Sequence, residues 1–282
     1  MGCSSADKVG FIGFGSMGSM LLEGFLSRKL LEPEEVCVST RTEAKLSGLV
    51  QKWPKVGVFR SNSTVAGQSK TLFLCVKPLD MIPLLRDIKK ELDRVCPHLV
   101  SIAASVEIGD IEALYQGRVS KAIPSLPSEL GEGVSLVCHN GLVPRGDAEY
   151  VEDLFGALGR VVPIKEREFE LAADLTSCAP GMIAAIFRNF VESALKHSQL
   201  DKEVAQEITI ATLKGTARLL LERQMGFADL ISRVATKGGI TEEGVRVLDR
   251  GLPPVFDEVF ERTLGKHRRV KRLVKDQLGQ TE

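Results

Sequence analysis

The chain is predicted to contain an α/β domain with a doubly wound, mostly parallel sheet, followed by an all-helical domain. Up to Pro163, apolar strand-like runs alternate with amphipathic helical patterns. This order is typical of a mostly parallel sheet with helices on both faces. After Pro163 the β-branched runs become rare, and apolar residues recur at helical spacing, as in Val204–Leu221. We therefore predict two domains, residues 1–163 and residues 164–282.

The individual elements follow from apolar runs and from helical spacing. The predicted strands are Val9–Ile12, Val36–Ser39, Val56–Phe59, Thr71–Val76, Leu99–Ala103, Val119–Ile123, Ser135–Cys138 and Arg160–Ile164. The helical patterns between them are Ser16–Arg28, Thr42–Lys52, Met81–Leu92 and Asp147–Leu158. In the second domain, glycine and proline residues at Cys178–Gly181 and Lys237–Thr241 interrupt the pattern and separate successive helices.

The charge balance excludes some classes of partner. Lys and Arg together number 37, as do Asp and Glu, so the formal net charge is zero. Proteins that bind nucleic acid or acidic membranes usually carry a basic excess, and we expect neither partner. The basic stretch Lys266–Arg272 is interpreted as a solvated helix face or tail. No apolar run approaches the roughly 20 residues of a membrane-spanning helix, and Met1–Ala6 is expected to be an unstructured tail.

The cysteines and histidines do not form the pattern of a disulfide framework or a metal site. The six cysteines are scattered and include no Cys-x-x-Cys pair. Cys37 and Cys75 fall in apolar runs and are expected to be buried thiols. The four histidines lack metal-ligand spacing. We therefore expect no metal, and we expect a reducing, cytoplasmic location.

The first strand runs into a glycine-rich turn with the spacing G-x-G-x-x-G. Gly13 permits a tight turn, Gly15 allows the backbone to approach a pyrophosphate, and Gly18 allows a helix to pack closely on the strand. The helix from Ser16 to about Ser27 offers unpaired amides and a positive dipole end to phosphates. These features predict a dinucleotide site in a Rossmann-like domain. Its predicted contact loop is Ile12, Gly13, Phe14, Gly15, Ser16, Met17 and Gly18.

The end of the second strand indicates which dinucleotide binds. An acidic residue at this point would bind the ribose of NAD, but the chain has Ser39, Thr40 and Arg41, and no acid before Glu43. Hydroxyl groups and a guanidinium suit a 2′-phosphate. We therefore predict NADPH (NADP) rather than NADH. The alternative is that Arg41 is a solvated loop residue.

Two further strand ends are candidates for the same site, because ligands of doubly wound sheets bind outside the carboxyl ends of strands. After the fourth strand, Cys75, Val76, Lys77 and Pro78 would direct a cation towards ribose or phosphate. In Ser101–Ser105, the small side chains of Ala103 and Ala104 leave space for a nicotinamide ring. Each stretch alone would also fit an ordinary strand end.

The pair Gly238-Gly239 precedes a predicted helix, for which Thr241 is a candidate N-cap. A helix start with two flexible amides is also able to bind an anion. The sequence leaves a simple cap and a carboxylate-binding site equally open.

Taken together, these segments resemble the pyrroline-5-carboxylate reductase family, whose members reduce a cyclic imine to proline. The resemblance covers nearly the whole chain. The segments that carry it are Phe11–Gly18, Val76-Lys77-Pro78, Ser101–Ala104, Glu132-Gly133-Val134 and Val234–Thr241, the last of which is similar to the family's V-[TS]-[TS]-P-G-G-[TA]-T.

The resemblance implies a substrate site and an assembly. The substrate would be bound by Thr236, Lys237, Gly238, Gly239 and Thr241, with the two glycine amides on its carboxylate. Thr241 would act as the catalytic residue at the imine nitrogen. The resemblance also implies a cofactor contact at Asn62 or Ser61, and a homodimer with interlocked helical domains, with a larger oligomer left open.

Several departures leave the substrate open. Lys237 replaces the signature proline, Met182 replaces an aromatic residue, and Lys121–Pro127 has Ser125 in place of asparagine. Lys237 would add a cation to the site or point into solvent. The rival functions are a reductase-like nucleotide-binding protein without turnover, and an NADP-dependent oxidoreductase acting on another imine or a hydroxy acid, including a deazaflavin-dependent NADP reductase.

Overall fold

The computed structural model describes residues 7–279, so the expected tail Met1–Ala6 lies outside the described residues. By contact, the chain forms two compact units. The first runs to Pro180 and includes the chain from Thr263 onward, and the second is Gly181–Arg262.

The first unit contains one eight-stranded sheet. Its strands are β1 (Lys8–Ile12), β2 (Val36–Ser39), β3 (Gly57–Phe59), β4 (Ser69–Leu74), β5 (His98–Ser101), β6 (Val119–Ile123), β7 (Gly133–His139) and β8 (Gly159–Pro163). Their order is β3-β2-β1-β4-β5-β6-β7-β8, and every pair is parallel except β6–β7. Each predicted strand is therefore present, and the predicted fold class is confirmed.

The helices of the chain are α1 (Ser16–Ser27), α2 (Ser47–Lys52), α3 (Asn62–Ala66), α4 (Pro78–Asp87), α5 (Lys89–Val95), α6 (Ile108–Glu112), α7 (Arg145–Gly156), α8 (Phe169–Thr176), α9 (Ala179–Ala194), α10 (Lys202–Glu222), α11 (Phe227–Val234) and α12 (Ile240–Gly279). The pattern predicted as one helix over Met81–Leu92 forms α4 and α5, which break at Ile88. α4 begins at Pro78, since the fixed φ of proline suits the first helical position.

The sheet of the first unit has an apolar core on each face. On one face Phe11 and Phe73 stack with ring centroids 4.7 Å apart, and Phe25 and Phe155 pack around Phe73. Cys37 is buried in the core of the other face, as expected. Burial raises the pKa of its thiol.

The second unit, which is helical, buries few of its apolar side chains. Val191 and Ala205 are its buried hydrophobic residues within the part of the chain that the structure describes. Phe190 is 59% exposed and Phe227 78% exposed. Exposed apolar residues are typical of interaction surfaces when they are contiguous, and we expect such a surface here.

One helical stretch, Glu166–His197, is long and apolar enough to cross a membrane by length and composition alone. The expectation that no apolar run reaches this length therefore did not hold. Such a stretch is weak evidence for a membrane span, because apolar helices of soluble proteins pass the same test.

The basic C-terminal stretch packs within the first unit, which corrects its interpretation as a solvated face or tail. His267 Nδ1 lies 3.0 Å from Ser105 Oγ, and Lys271 Nζ donates to Glu107 Oε1 at 2.9 Å. Val274, one turn further on, is fully buried. Ion pairs and apolar contacts therefore fix this end of α12.

Candidate functional site

A cleft of about 400 Å³ opens where the carboxyl ends of β1, β2 and β4 meet. The Gly13 amide donates to the Ser39 carbonyl at 2.8 Å, and the Cys75 amide donates to the Ile12 carbonyl at 2.8 Å. The strand order reverses at this point, where doubly wound sheets bind their ligands. The cleft is lined by Ile12, Gly13, Phe14, Gly15, Thr40, Arg41, Thr42, Lys45, Asn62, Cys75, Val76, Lys77, Asp80, Pro83, Leu84 and Asp87.

The three glycines of the turn differ in what surrounds them. Gly13 has a φ of 101°, and a Cβ there would lie 2.4 Å from the Cys75 carbonyl oxygen. A Cβ on Gly18 would lie 2.4 Å from the Gly13 carbonyl oxygen. Nothing lies within 4 Å of a Cβ on Gly15. Gly13 and Gly18 are thus required by the turn and by packing, and Gly15 leaves open space beside the cleft.

Helix α1 begins directly after this space. Its N-cap is Gly15, no side chain caps it, and its first turn contains no acidic residue. The first amides of a helix have no partner within the helix, so this end is suited to an anion. Ser16, Met17 and Gly18 form the first turn of α1 and do not line the cleft.

Ser39 and Asn62 form a hydrogen-bonded pair. Ser39 is fully buried, and its hydroxyl donates to Asn62 Oδ1 at 2.9 Å. Asn62 lines the cleft, whereas the Ser61 hydroxyl accepts the Thr64 amide and caps α3. Of the two alternatives left open by the sequence, Asn62 is the one at the cleft. Ser39 orients Asn62 and does not itself line the cleft.

The positive charges of the cleft come from three elements. Arg41 follows β2, Lys45 lies in the next turn, and Lys77 precedes α4. Arg41 Nη2 lies 3.0 Å from Asp80 Oδ2. Thr40, beside Arg41, adds a hydroxyl group to the lining.

Helix α4 contributes a face to the cleft that was not predicted from the sequence. Asp80, Pro83, Leu84 and Asp87 all line the cleft, and their spacing of three, four and seven residues places them on one helix face. The helical pattern alone could have grouped these residues. It could not have shown that this face meets the loop after β2. Thr42 and Lys45 of that loop were missed as well.

Cys75 differs from its expected place in the core. It is half-buried just after β4 and lines the cleft. Desolvation raises the pKa of its thiol to about 12, so the sulfur is neutral at physiological pH. A neutral thiol adds no negative charge near a phosphate.

The other candidate contacts in the first unit lie outside the cleft lining. Pro78 starts α4, and Ala103 is buried in the core. Ala104 packs against a small apolar cluster that includes Ile123 and Phe169. The predicted contact of Ala103 and Ala104 with a nicotinamide ring stays a prediction.

In the second unit, the two glycine amides have partners. The Gly238 amide donates to Glu242 Oε2 at 2.6 Å, and the Gly239 amide donates to the Thr236 carbonyl at 2.8 Å. Helix α12 begins at Ile240, so Thr241 lies inside its first turn. The prediction of Thr241 as an N-cap is therefore wrong. Thr236, Lys237 and Thr241 are all exposed.

Models of known protein families match both the N-terminal and the C-terminal part of the chain. The family model described as pyrroline-5-carboxylate reductase dimerisation matches residues 166–270. The model described as NADP oxidoreductase coenzyme F420-dependent matches residues 8–105. Pyrroline-5-carboxylate reductase 3 of Bacillus subtilis (strain 168) is 38% identical over 274 residues, which cover 97% of this chain and 98% of that protein. The chain belongs to the pyrroline-5-carboxylate reductase family.

Solved structures of pyrroline-5-carboxylate reductases share the fold. The enzyme of Coxiella burnetii is 27% identical with a TM-score of 0.81, covering 95% of this chain and 99% of that chain. The pyrroline carboxylate reductase of Plasmodium falciparum, solved with NADP bound, is 23% identical with a TM-score of 0.80, covering 96% and 100%.

Ser125, which departs from the family's pattern, and Lys121 of the same segment are both buried in the first unit. Ser125 accepts the Val134 amide at 2.8 Å through its hydroxyl. Lys121 lies 3.5 Å from Glu166 and 4.9 Å from the centre of the Phe169 ring, and burial lowers its pKa. Both side chains therefore have structural partners.

Proposed function

We propose that this protein uses NADPH to reduce a cyclic imino acid, and that the substrate is 1-pyrroline-5-carboxylate, which becomes L-proline. The observation that carries the proposal is the cleft at the glycine turn, in a chain 38% identical to a pyrroline-5-carboxylate reductase. Reduction adds a hydride to the carbon of the C=N bond, and the nitrogen keeps or gains a proton.

The residues of the cleft fit a dinucleotide with a 2′-phosphate. The open space beside Gly15 and the uncapped start of α1 suit a pyrophosphate. Arg41, with Thr40 beside it, would bind the 2′-phosphate, because a guanidinium forms charge-assisted bonds to phosphate oxygens. When bound, the cofactor supplies the hydride, and the protein's part is to hold and orient it.

For the substrate we propose the segment Thr236–Thr241. The amides of Gly238 and Gly239 would bind the carboxylate, and the Thr241 hydroxyl would accept the N–H of the protonated imine. A protonated imine is already electrophilic, so orientation contributes most of the rate. The exposure of Thr241 in the first turn of α12 supports this role.

We propose that two chains associate through interlocked helical domains. The match of the dimerisation model to residues 166–270 and the exposed apolar surface of the second unit support this.

We assign residues 1–163 to cofactor binding and residues 164–282 to dimerisation and substrate binding. The division by contact differs, since residues 164–180 and those from Thr263 onward pack in the first unit. Cys37, Cys75, Cys138 and Cys178 are free thiols, which supports a reducing cytoplasm.

A second candidate is a nucleotide-binding protein without turnover. The bond from the Gly238 amide to Glu242 favours it, because the proposed carboxylate site then has an internal occupant. The two functions are separated by following nicotinamide absorbance after mixing the protein with NADPH and 1-pyrroline-5-carboxylate. Rapid oxidation supports the reductase. Saturable NADPH binding without oxidation, across a panel of cyclic imino acids and keto acids, supports the second candidate.

A further inference from the structure

The cleft of the first unit carries charges of both signs. Arg41, Lys45 and Lys77 line it together with Asp80 and Asp87. A dinucleotide with a 2′-phosphate brings negative charge on both its pyrophosphate and its ribose. A carboxylate close to either phosphate therefore opposes binding, and the position of each acid decides which phosphate it affects.

Asp80 lies beside the loop that follows β2, at one end of the cleft. It is in the first turn of α4, and its carboxylate contacts the Arg41 guanidinium at 3.0 Å. Arg41 is the cation to which we assign the 2′-phosphate. The Arg41 side chain is 83% exposed and that of Asp80 38% exposed. Exposed ion pairs of this kind are weak, so a phosphate is able to replace the carboxylate.

We infer that Asp80 is a specificity-determining residue, which occupies at Arg41 the place of the 2′-phosphate and so weakens the preference for NADPH over NADH. We assign Lys45 as the second cation for that phosphate, since it lines the cleft and lies in the turn that follows Arg41. This inference rests on the proposed nucleotide function.

The sign of the effect follows from the charges. With NADH bound, Arg41 keeps Asp80 as its partner. With NADPH bound, the phosphate competes with Asp80 for the guanidinium and is repelled by the carboxylate. Removing the charge of Asp80 therefore strengthens NADPH binding and leaves NADH binding unchanged.

The test is direct binding, which does not depend on turnover. The full-length protein and its Asp80→Asn variant are titrated calorimetrically with NADPH and NADH, and with adenosine 2′,5′-bisphosphate and adenosine 5′-monophosphate. We expect Asp80→Asn to lower the Kd of the two 2′-phosphorylated ligands about fivefold and to leave the other two unchanged. Lys45→Gln is expected to raise the Kd of the 2′-phosphorylated ligands by a similar factor.

Asp87→Asn is the matched control, because Asp87 lines the cleft on the same face of α4 but about two turns further on. It removes the same charge and should change the NADPH-to-NADH ratio by less than about twofold. The inference is overturned if Asp80→Asn leaves the ratio unchanged, lowers it, or changes it no more than Asp87→Asn does. Failure of all four ligands to bind would overturn the cofactor role as well. Binding of NADPH without its oxidation in the absorbance assay would contradict the reductase function alone.

Discussion

The two compact units differ in how they bury their apolar side chains. In the first unit Phe11, Phe73 and Phe155 are fully buried on one face of the sheet. In the second, large side chains such as Phe190 and Phe227 are mostly exposed. The first unit thus contains its own core, whereas the second needs a further surface to cover it. We therefore expect its stability to depend on association.

The same contrast applies to the candidate sites. The cleft is built from strand ends and α4 within the first unit, and its backbone is fixed by bonds such as Gly13 to Ser39. The Thr236–Thr241 segment is mostly exposed, and its glycine amides donate to groups within the same segment and in the first turn of α12. We expect the cleft to be complete in one chain, and the substrate segment to be completed by association.

The largest effect is expected from replacing one phenylalanine in each unit and comparing the losses of stability. Phe73→Ala should lower the free energy of unfolding by about 3–5 kcal/mol, because its ring is fully buried. Phe190→Ala should lower it by about 1 kcal/mol or less at fixed association, and should weaken dimerisation. Urea unfolding and sedimentation at several protein concentrations measure the two quantities. If the two variants lost equal stability and neither changed association, the proposed difference in burial between the units would be wrong.

A second prediction concerns acid and the packing of the C-terminal part of α12 within the first unit. Lys275 and Lys271 contact Glu107 at 2.8 and 2.9 Å and lower the pKa of its carboxyl to about 2. Because the folded pKa is below the ordinary value of 4.5, this stabilisation is complete above about pH 4.5 and is lost as the pH falls towards 2. It amounts to about 2 kcal/mol after allowance for the partial exposure of the carboxylate.

Thermal unfolding of the wild type and of Glu107→Gln between pH 5 and about 2 checks this. The variant should be less stable at pH 5 and should lose less stability with acid, since its side chain does not titrate. Parallel curves for the two proteins would mean that Glu107 does not hold the C-terminal part of α12.

In the second unit, Thr241→Ala should lower kcat about 10- to 100-fold, because it removes the hydrogen bond proposed to hold and orient the protonated imine. Thr241→Ser keeps the hydroxyl and should recover most of the rate. Steady-state kinetics at saturating NADPH, with thermal unfolding as a check on folding, test this. Undiminished turnover in a stable Thr241→Ala protein would eliminate the catalytic role.

The smallest expected effect concerns Glu242. Glu242→Ala frees the Gly238 amide and should lower the KM for the imino acid about two- to fivefold, with the KM for NADPH unchanged. Glu243→Ala is the control, since Glu243 also pairs with Arg246 but does not contact Gly238. Equal KM values in the two variants would show that Glu242 does not compete with the substrate.

The features that could be predicted from the sequence are those that depend on residues close together in the chain. Strands follow from apolar runs, and the roles of Gly13 and Gly18 follow from their spacing after β1. The contact of Asp80 with Arg41 depends on how α4 lies against the loop after β2. The packing of Lys271 on Glu107 joins residues 164 positions apart. No local pattern encodes such pairs, which is why the contact of Asp80 with Arg41 and the fixed end of α12 could not be predicted from the sequence.

The most direct test of the proposed reaction is isotope transfer. The protein is incubated with 1-pyrroline-5-carboxylate and NADPH that carries deuterium on the transferable position of its nicotinamide ring. We expect one L-proline per NADPH consumed, with the deuterium on carbon 5 of the proline ring. Oxidation of NADPH without labelled proline, or binding of NADPH without oxidation, would contradict the assignment of this chain as a reductase of that imine.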